Sequence, residues 1–243
     1  GYIIMLSKAG GVRHTKEGRG AAMKKTVTIC FTNNKGGSGK STTCSNVGAA
    51  MARAGKKVLL VDGDMQLNLS LSFFSEEKVL EMAAGEMNLY HAIGGQKDLT
   101  DYIVHTPYEG LDLIPSSTQM SSIEYELFTK WQREFILKKC LQKIKAAGTY
   151  DYILIDAPPT LGGWVMNILC ASDRVLVPVE ASPWGMFGLA NMFDFLDEVK
   201  REDFQYVVPD FRLNKAFDKL AKLTDKEKDK VEFLCNELSL IHI

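Results

Sequence analysis

Ten consecutive residues constrain this chain more than any others: Asn33-Asn34-Lys35-Gly36-Gly37-Ser38-Gly39-Lys40-Ser41-Thr42. They follow an apolar run over Thr26–Phe31 and open a helical pattern that reaches to about Ala54. Strand, glycine-rich turn and helix in that order make a phosphate cradle. The glycines let backbone N–H groups turn toward phosphate oxygens, and the helix N-terminus adds positive potential. Lys40 is placed to reach the β- and γ-phosphates of a nucleotide, and the Ser41 hydroxyl to ligate Mg²⁺. Gly36, Gly37, Ser38, Gly39, Lys40, Ser41 and Thr42 are the candidate phosphate-binding residues. A plain strand-to-helix turn with a surface lysine is the competing reading, and the order strand, loop, Gly-Lys-Ser, helix weighs against it.

Beyond the loop, short apolar runs alternate with helical ones. Lys57–Val61, Leu111–Ile114 (stopped by Pro115), Tyr152–Ile155 and Arg174–Val179 read as strands. Leu137, Cys140, Leu141 and Ile144 fall at i, i+3, i+4, i+7, which predicts an amphipathic helix over 131–147 closed by Gly148. Strands apolar on both faces and separated by helices imply a doubly wound, mainly parallel α/β sheet flanked by helices, of the P-loop NTPase type. The 243 residues, 46% hydrophobic and 24% charged, suit a globular α/β domain. Lys plus Arg number 29 against 30 Asp plus Glu, which argues against nucleic-acid binding by bulk charge and leaves a local basic face open. Five scattered cysteines without a C-x-x-C pair and four dispersed histidines suit reduced thiols in a cytoplasmic chain, not a zinc or iron–sulfur site. The longest apolar runs are strand-length, far short of the roughly 20 residues that span a bilayer.

Three carboxylates end strands. In an open parallel sheet, ligands bind at the carboxyl ends of strands, so Asp62 and Asp64 after the second strand would lie near the phosphates. Alone, Asp62-Gly63-Asp64 reads equally well as a solvated acidic turn. Asp156 ends the hydrophobic run Tyr152–Ile155 in Walker B form, where the sheet holds the carboxylate for a magnesium water shell, and Pro158-Pro159 then starts a loop.

The K-G-G-x-G-K-[ST] form of the loop, with Lys35 at its start and Asn34 in place of the usual glycine, resembles the deviant Walker A loop of the ParA/MinD ATPases. Asp62-Gly63-Asp64-Met65-Gln66-Leu67-Asn68 is similar to the D-x-D-x-Q-x-N block of the ParA/Soj branch, and Ile155-Asp156-Ala157-Pro158-Pro159-Thr160-Leu161-Gly162 to its I-D-x-P-P-x-L-G. Ser172–Val179 and Gly188-Leu189 match the strand and helix that follow, so the resemblance covers about 25–200. It implies ATP and Mg²⁺ as cofactors and an ATP-dependent homodimer in which Lys35 reaches the partner's phosphates. Lys35 thereby joins Lys40 and Asp64 as a catalytic candidate, and also joins the nucleotide-binding set. Asp64 would position the hydrolytic water; Ser41, Asp62 and Asp156 would serve the metal. Nonspecific DNA and a ParB-like DNA-binding protein are the implied partners, in plasmid, mobile-element or chromosome partition. The family usually has Pro at Met65 and Gly at Leu67, substitutions of backbone shape.

Both ends depart from the pattern. Residues 1–22 are expected to be a non-native leader or disordered arm, with the native start at Met23. The ATPase domain is expected over 23–203, and a divergent, mostly helical tail over 204–243. In the tail, Phe204–Pro209 reads as a short strand, and Thr224-x-x-Glu227 caps a helix bearing Val231, Leu234, Cys235 and Leu238. The tail is open between a divergent end, a truncation and a fusion. Nine Lys/Arg against nine Asp/Glu over 200–243 give it no net basic charge. Phe233–Ile243 lacks the basic face of a membrane-binding helix, so a membrane is not an expected partner. A MinD-like or protein-cargo-positioning ATPase, and a non-hydrolysing or truncated regulatory module, are the alternatives.

Overall fold

A computed structural model of the chain describes residues 2–8, 26–179, 191–192, 194–195 and 211–212. Among the described residues, eight strands form one sheet: β1 (Tyr2–Lys8), β2 (Val27–Phe31), β3 (Val58–Asp62), β4 (Val104–His105), β5 (Leu111–Ile114), β6 (Tyr152–Asp156), β7 (Arg174–Val179) and β8 (Phe211–Arg212), in the order β4-β5-β3-β6-β2-β7-β1-β8. The central strands β5, β3, β6, β2 and β7 are parallel, as expected from runs apolar on both faces. The edges are antiparallel: β4 against β5, and β1, inside the stretch read as a leader, against β7. The expected helix with Gly188-Leu189, the strand at Phe204–Pro209 and the capped helix after Thr224 lie outside the described residues.

Side-chain alternation along the strands splits the core in two. On one face Ile29, Phe31, Val58, Leu60, Leu111, Leu113 and Leu154 pack under α1 (Lys40–Arg53) and α2 (Asn68–Leu71). On the other, Cys30, Leu59, Val61, Ile153, Ile155, Val175 and Val177 meet α4 (Leu89–Gly94), α5 (Ile123–Phe128), α6 (Ile136–Cys140), α7 (Gln142–Ala147) and α8 (Gly163–Ala171). The remaining helix among the described residues, α3 (Glu76–Ala84), builds a small satellite with Leu67, Val79 and Ala83. The helix predicted over 131–147 begins later, at Ile136. Gln132 sits at φ 49°, a 3-10 turn covers Arg133–Phe135, and the helix tightens at Leu141 (ψ −7°) before Gly148, at φ 62°, closes it. Among the described residues no helix is long and apolar enough to cross a membrane.

Candidate functional site

The loop between β2 and α1 is folded by its own polar groups. Asn33 Nδ2 donates to the Pro178 carbonyl at 2.8 Å, and its Oδ1 accepts the Lys35 N–H at 3.0 Å, so the turn is anchored to β7. Gly37 and Gly39 stand at φ 72° and 82°, left-handed positions that cost other residues about 1–2 kcal/mol. A Cβ on Gly36 or Gly37 would meet nothing within 4 Å, which leaves room for a ligand against the bare backbone. Lys40 folds back, its Nζ donating to the Lys35 carbonyl at 3.2 Å. Gly36 to Thr42 line a cleft of about 420 Å³ together with Asp64, Gln66, Asn68, Ser72 and Pro159.

Below the cleft, Asp62 and Asp156 are register partners on adjacent parallel strands, and both are fully buried. Asp62 Oδ2 accepts the Ser70 hydroxyl at 2.6 Å and the Ser70 N–H at 2.9 Å, while Oδ1 accepts the Asp64 N–H at 3.3 Å. Burial lifts its pKa to about 6 against the pull of those hydrogen bonds. Neither Asp156 oxygen completes a hydrogen bond of ordinary geometry, although the Ser41 hydroxyl comes close enough to favour the ionised form. Burial first, and the neighbouring Asp62 charge second, push Asp156 up to about 8. Asp64 is also raised, mainly by burial. Burial depresses the Lys40 ammonium, with Asp156 and Asp64 opposing. Buried polar atoms are nearly always satisfied, so the orphaned Asp156 carboxylate and the orphaned Ser38 Oγ fit a site for Mg²⁺ and phosphate. Among the described residues no three His, Cys, Asp or Glu converge into a closed metal cage. Magnesium keeps waters and binds through one or two carboxylates plus phosphate oxygens, and the buried Asp156 carboxylate is a donor of that kind.

The structure thus brings Gly36, Gly37, Ser38, Gly39, Lys40, Ser41, Thr42 and Asp64 around one cleft, with Asp62 and Asp156 in the sheet beneath. Lys35, half-buried at the loop's start, does not line it. Sequence reasoning used Gln66 and Asn68 only as marks of a branch, and missed Ser72 and Pro159 as walls of the cleft. Ser72 follows α2, which packs against α1, and Pro159 stands three residues after Asp156 in the loop that leaves β6. A larger hollow of about 850 Å³ at the far end of α1, walled by Arg53, Lys56, Lys57, Phe73 and Tyr108, contains none of the candidate residues.

A family model described as AAA domain (AAA_31) matches residues 26–208. The sporulation initiation inhibitor protein Soj of Bacillus subtilis is 39% identical over 173 residues, 71% of this chain and 66% of that protein. The chromosome partitioning protein ParA of Caulobacter vibrioides is 34% identical over 172 residues, 71% of this chain and 62% of that protein. The chain therefore spans slightly less than two thirds of the length of these relatives. Among solved structures, a plasmid partition protein of Borrelia burgdorferi bound to AMPPNP matches with TM-score 0.60 and 29% identity, covering 73% of this chain and 72% of that one. Cobyrinic acid a,c-diamide synthase of Mycobacterium smegmatis, with ADP and magnesium, matches with TM-score 0.65 and 29% identity over 76% of this chain and 71% of that one. A phosphate loop opening α1, acidic ends on β3 and β6, and a family match running through all of them lead to one assignment: the chain belongs to the ParA/Soj family of partition ATPases, within the AAA_31 (ParA/MinD) group.

Proposed function

We propose that this chain is an ATP-dependent dimerising switch that hydrolyses ATP to ADP and phosphate in plasmid, mobile-element or chromosome partition. The observation that carries the reading is the cleft itself, in which the phosphate loop and Asp64 meet above the orphaned Asp156 carboxylate, at the carboxyl ends of β2, β3 and β6. Gly36 to Thr42 hold the phosphates by backbone N–H groups, and Lys40 exchanges its bond to the Lys35 carbonyl for phosphate oxygens. Ser41 and Asp156 hold magnesium, with Asp62 supporting its water shell. Magnesium, when bound, would offset the charge of the phosphates. Asp64, held by the Gln66 N–H at 3.1 Å, orients the attacking water. Lys35 completes the partner's site in the dimer. The dimer binds DNA nonspecifically and releases it when a ParB-like partner speeds hydrolysis; the partition names of the Caulobacter and Borrelia proteins support this step.

Retention on nonspecific duplex DNA at fixed salt, with Mg-ATP against Mg-ADP, tests the reading, since salt governs such binding. ATP-selective retention is the expected result. Lys40→Ala abolishes both retention and nucleotide-dependent dimers. Asp64→Ala keeps the dimers and slows hydrolysis by about 100-fold or more. Equal, negligible retention with both nucleotides shifts the reading to an ATPase that positions a protein cargo.

A further inference from the structure

Two loops border the cleft, and one buried ring ties them together. The first leaves β3 through Gly63 to Asp64; the second leaves β6 through Ala157 and Pro158 and enters α8 at Gly163. Gly63 is gripped from both. Its N–H donates to the Asp156 carbonyl at 2.9 Å, and its carbonyl accepts the Trp164 indole N–H at 2.9 Å. A Cβ on Gly63 would stand 2.6 Å from the Asp156 carbonyl oxygen, so the approach is a bare-backbone one. The peptide that delivers Asp64 is therefore pinned between β6 and the first turn of α8.

Trp164 is in turn held by a side chain from a third element. Glu124 on α5 accepts the Trp164 N–H through Oε1 at 3.0 Å and the Gly163 N–H through Oε2 at 3.1 Å. The first turn of a helix has N–H groups with no partner inside the helix, and a carboxylate there also meets the positive end of its dipole. A Cβ on Gly162 or Gly163 would come within 2.7 or 2.8 Å of the Glu124 carboxylate, so both glycines make room for this contact. Glu124 is outside the nucleotide cleft. It faces an adjoining cavity of about 400 Å³, whose walls include Gly63, Asp64, Pro159 and Trp164.

We propose that Glu124 is a positioning residue for hydrolysis: its carboxylate fixes the first turn of α8, and the Trp164 indole passes that constraint to Gly63 and so to Asp64. The inference rests on the proposed role of Asp64 in orienting water. It makes α5, whose outer surface carries the exposed Tyr125 and Phe128, a mechanical input to the hydrolytic loop.

The test is steady-state ATP hydrolysis by the full chain carrying Glu124→Ala, Trp164→Phe or both; the phenylalanine keeps most of the ring and removes the N–H. Each single substitution lowers kcat about tenfold, since small misplacements of a positioned water are costly, and leaves KM for ATP within about twofold. The double variant is no slower than the worse single one, because both act on one route. A helix cap that serves only stability lowers the melting temperature and leaves kcat of the folded protein unchanged, and that result overturns the proposal. Asp64→Ala is run beside them. A slow Asp64→Ala with a normal Glu124→Ala overturns this inference and leaves the Asp64 role standing. A normal Asp64→Ala overturns both. A readout independent of turnover is the Trp164 indole N–H resonance, assigned by its loss in Trp164→Phe. Its solvent exchange quickens about tenfold or more in Glu124→Ala, and unchanged exchange overturns the coupling even in a chain that hydrolyses nothing.

Discussion

Leu67 shows how one residue can carry two opposed energies. It adopts φ 60°, a left-handed conformation at the N-cap of α2, where the ParA/Soj pattern usually has glycine. That backbone costs a leucine about 1–2 kcal/mol. The side chain nonetheless stays, because it is 5% exposed and seats the satellite cluster with Val79 and Ala83. Removing such a side chain costs about 2–5 kcal/mol, so burial outweighs strain. Leu67→Ala should therefore lose about 3 kcal/mol, giving up the packing while keeping the strain. Leu67→Gly should lose about 1 kcal/mol less than Leu67→Ala, reversing the usual order in which glycine is the worse replacement. Urea denaturation of the two variants decides it; an alanine variant equal to or more stable than the glycine one would mean the backbone is not strained. The departure at Leu67 was readable in the sequence, but its sign was not, since the apolar partners Val79 and Ala83 arrive from α3.

At the scale of elements, what was legible follows from local pattern. β5 and β7 have the expected ends, and β2, β3 and β6 lie within a residue of theirs, because each is a short apolar run stopped by turn residues or a carboxylate. The antiparallel edge strand β4 was missed: two residues, one of them the exposed His105, carry no periodicity, and only pairing with Leu113 and Asp112 makes them a strand. Asn88 illustrates a second limit. It is the N-cap of α4, a position where Asp ordinarily serves as well. In the fold it is fully buried, its Oδ1 accepts the His91 N–H at 3.3 Å, and its Nδ2 donates to the Gly85 carbonyl at 2.7 Å, closing the end of α3 onto the start of α4. Asn88→Ala should cost about 2–3 kcal/mol by leaving buried carbonyls unpaired. Asn88→Asp should cost at least as much, because a carboxylate would replace the donor facing the Gly85, Met82 and Ala83 carbonyls. Near-native stability of Asn88→Asp in chemical denaturation would reduce Asn88 to a simple cap.

For the whole molecule, the sheet order explains why residues far apart in the chain share a site. β2 and β3 lie on either side of β6, so the phosphate loop, Asp62 and Asp156 emerge side by side from one sheet end, as the α/β reading anticipates. The sequence could not disclose the tie from Glu124 through Trp164 to Gly63, because it joins three separate elements and follows no spacing rule. The same convergence concentrates negative charge in a dry place, and that has a consequence for stability. With Asp156 lifted to about 8 and Asp62 to about 6, the folded chain keeps protons that an unfolded chain, with carboxylates near 4, has already released. Through these two groups, stability without nucleotide is fullest below about pH 4 and falls as pH rises through 6 and 8. In the metal role proposed for Asp62 and Asp156, magnesium would compete with those protons and gain most where the carboxylates are ionised. The rise in melting temperature that Mg²⁺ adds to ADP should be larger at pH 8 than at pH 5.5, by several degrees at roughly 2–4 °C per kcal/mol for a domain of this size. Asp156→Asn should raise the melting temperature of the nucleotide-free chain at pH 8, where the ionised carboxylate is most costly, and remove most of the magnesium increment. Thermal scans with ADP alone and with Mg-ADP at both pH values check this. A magnesium increment that is independent of pH would place the protons, and the metal, away from the ends of β3 and β6.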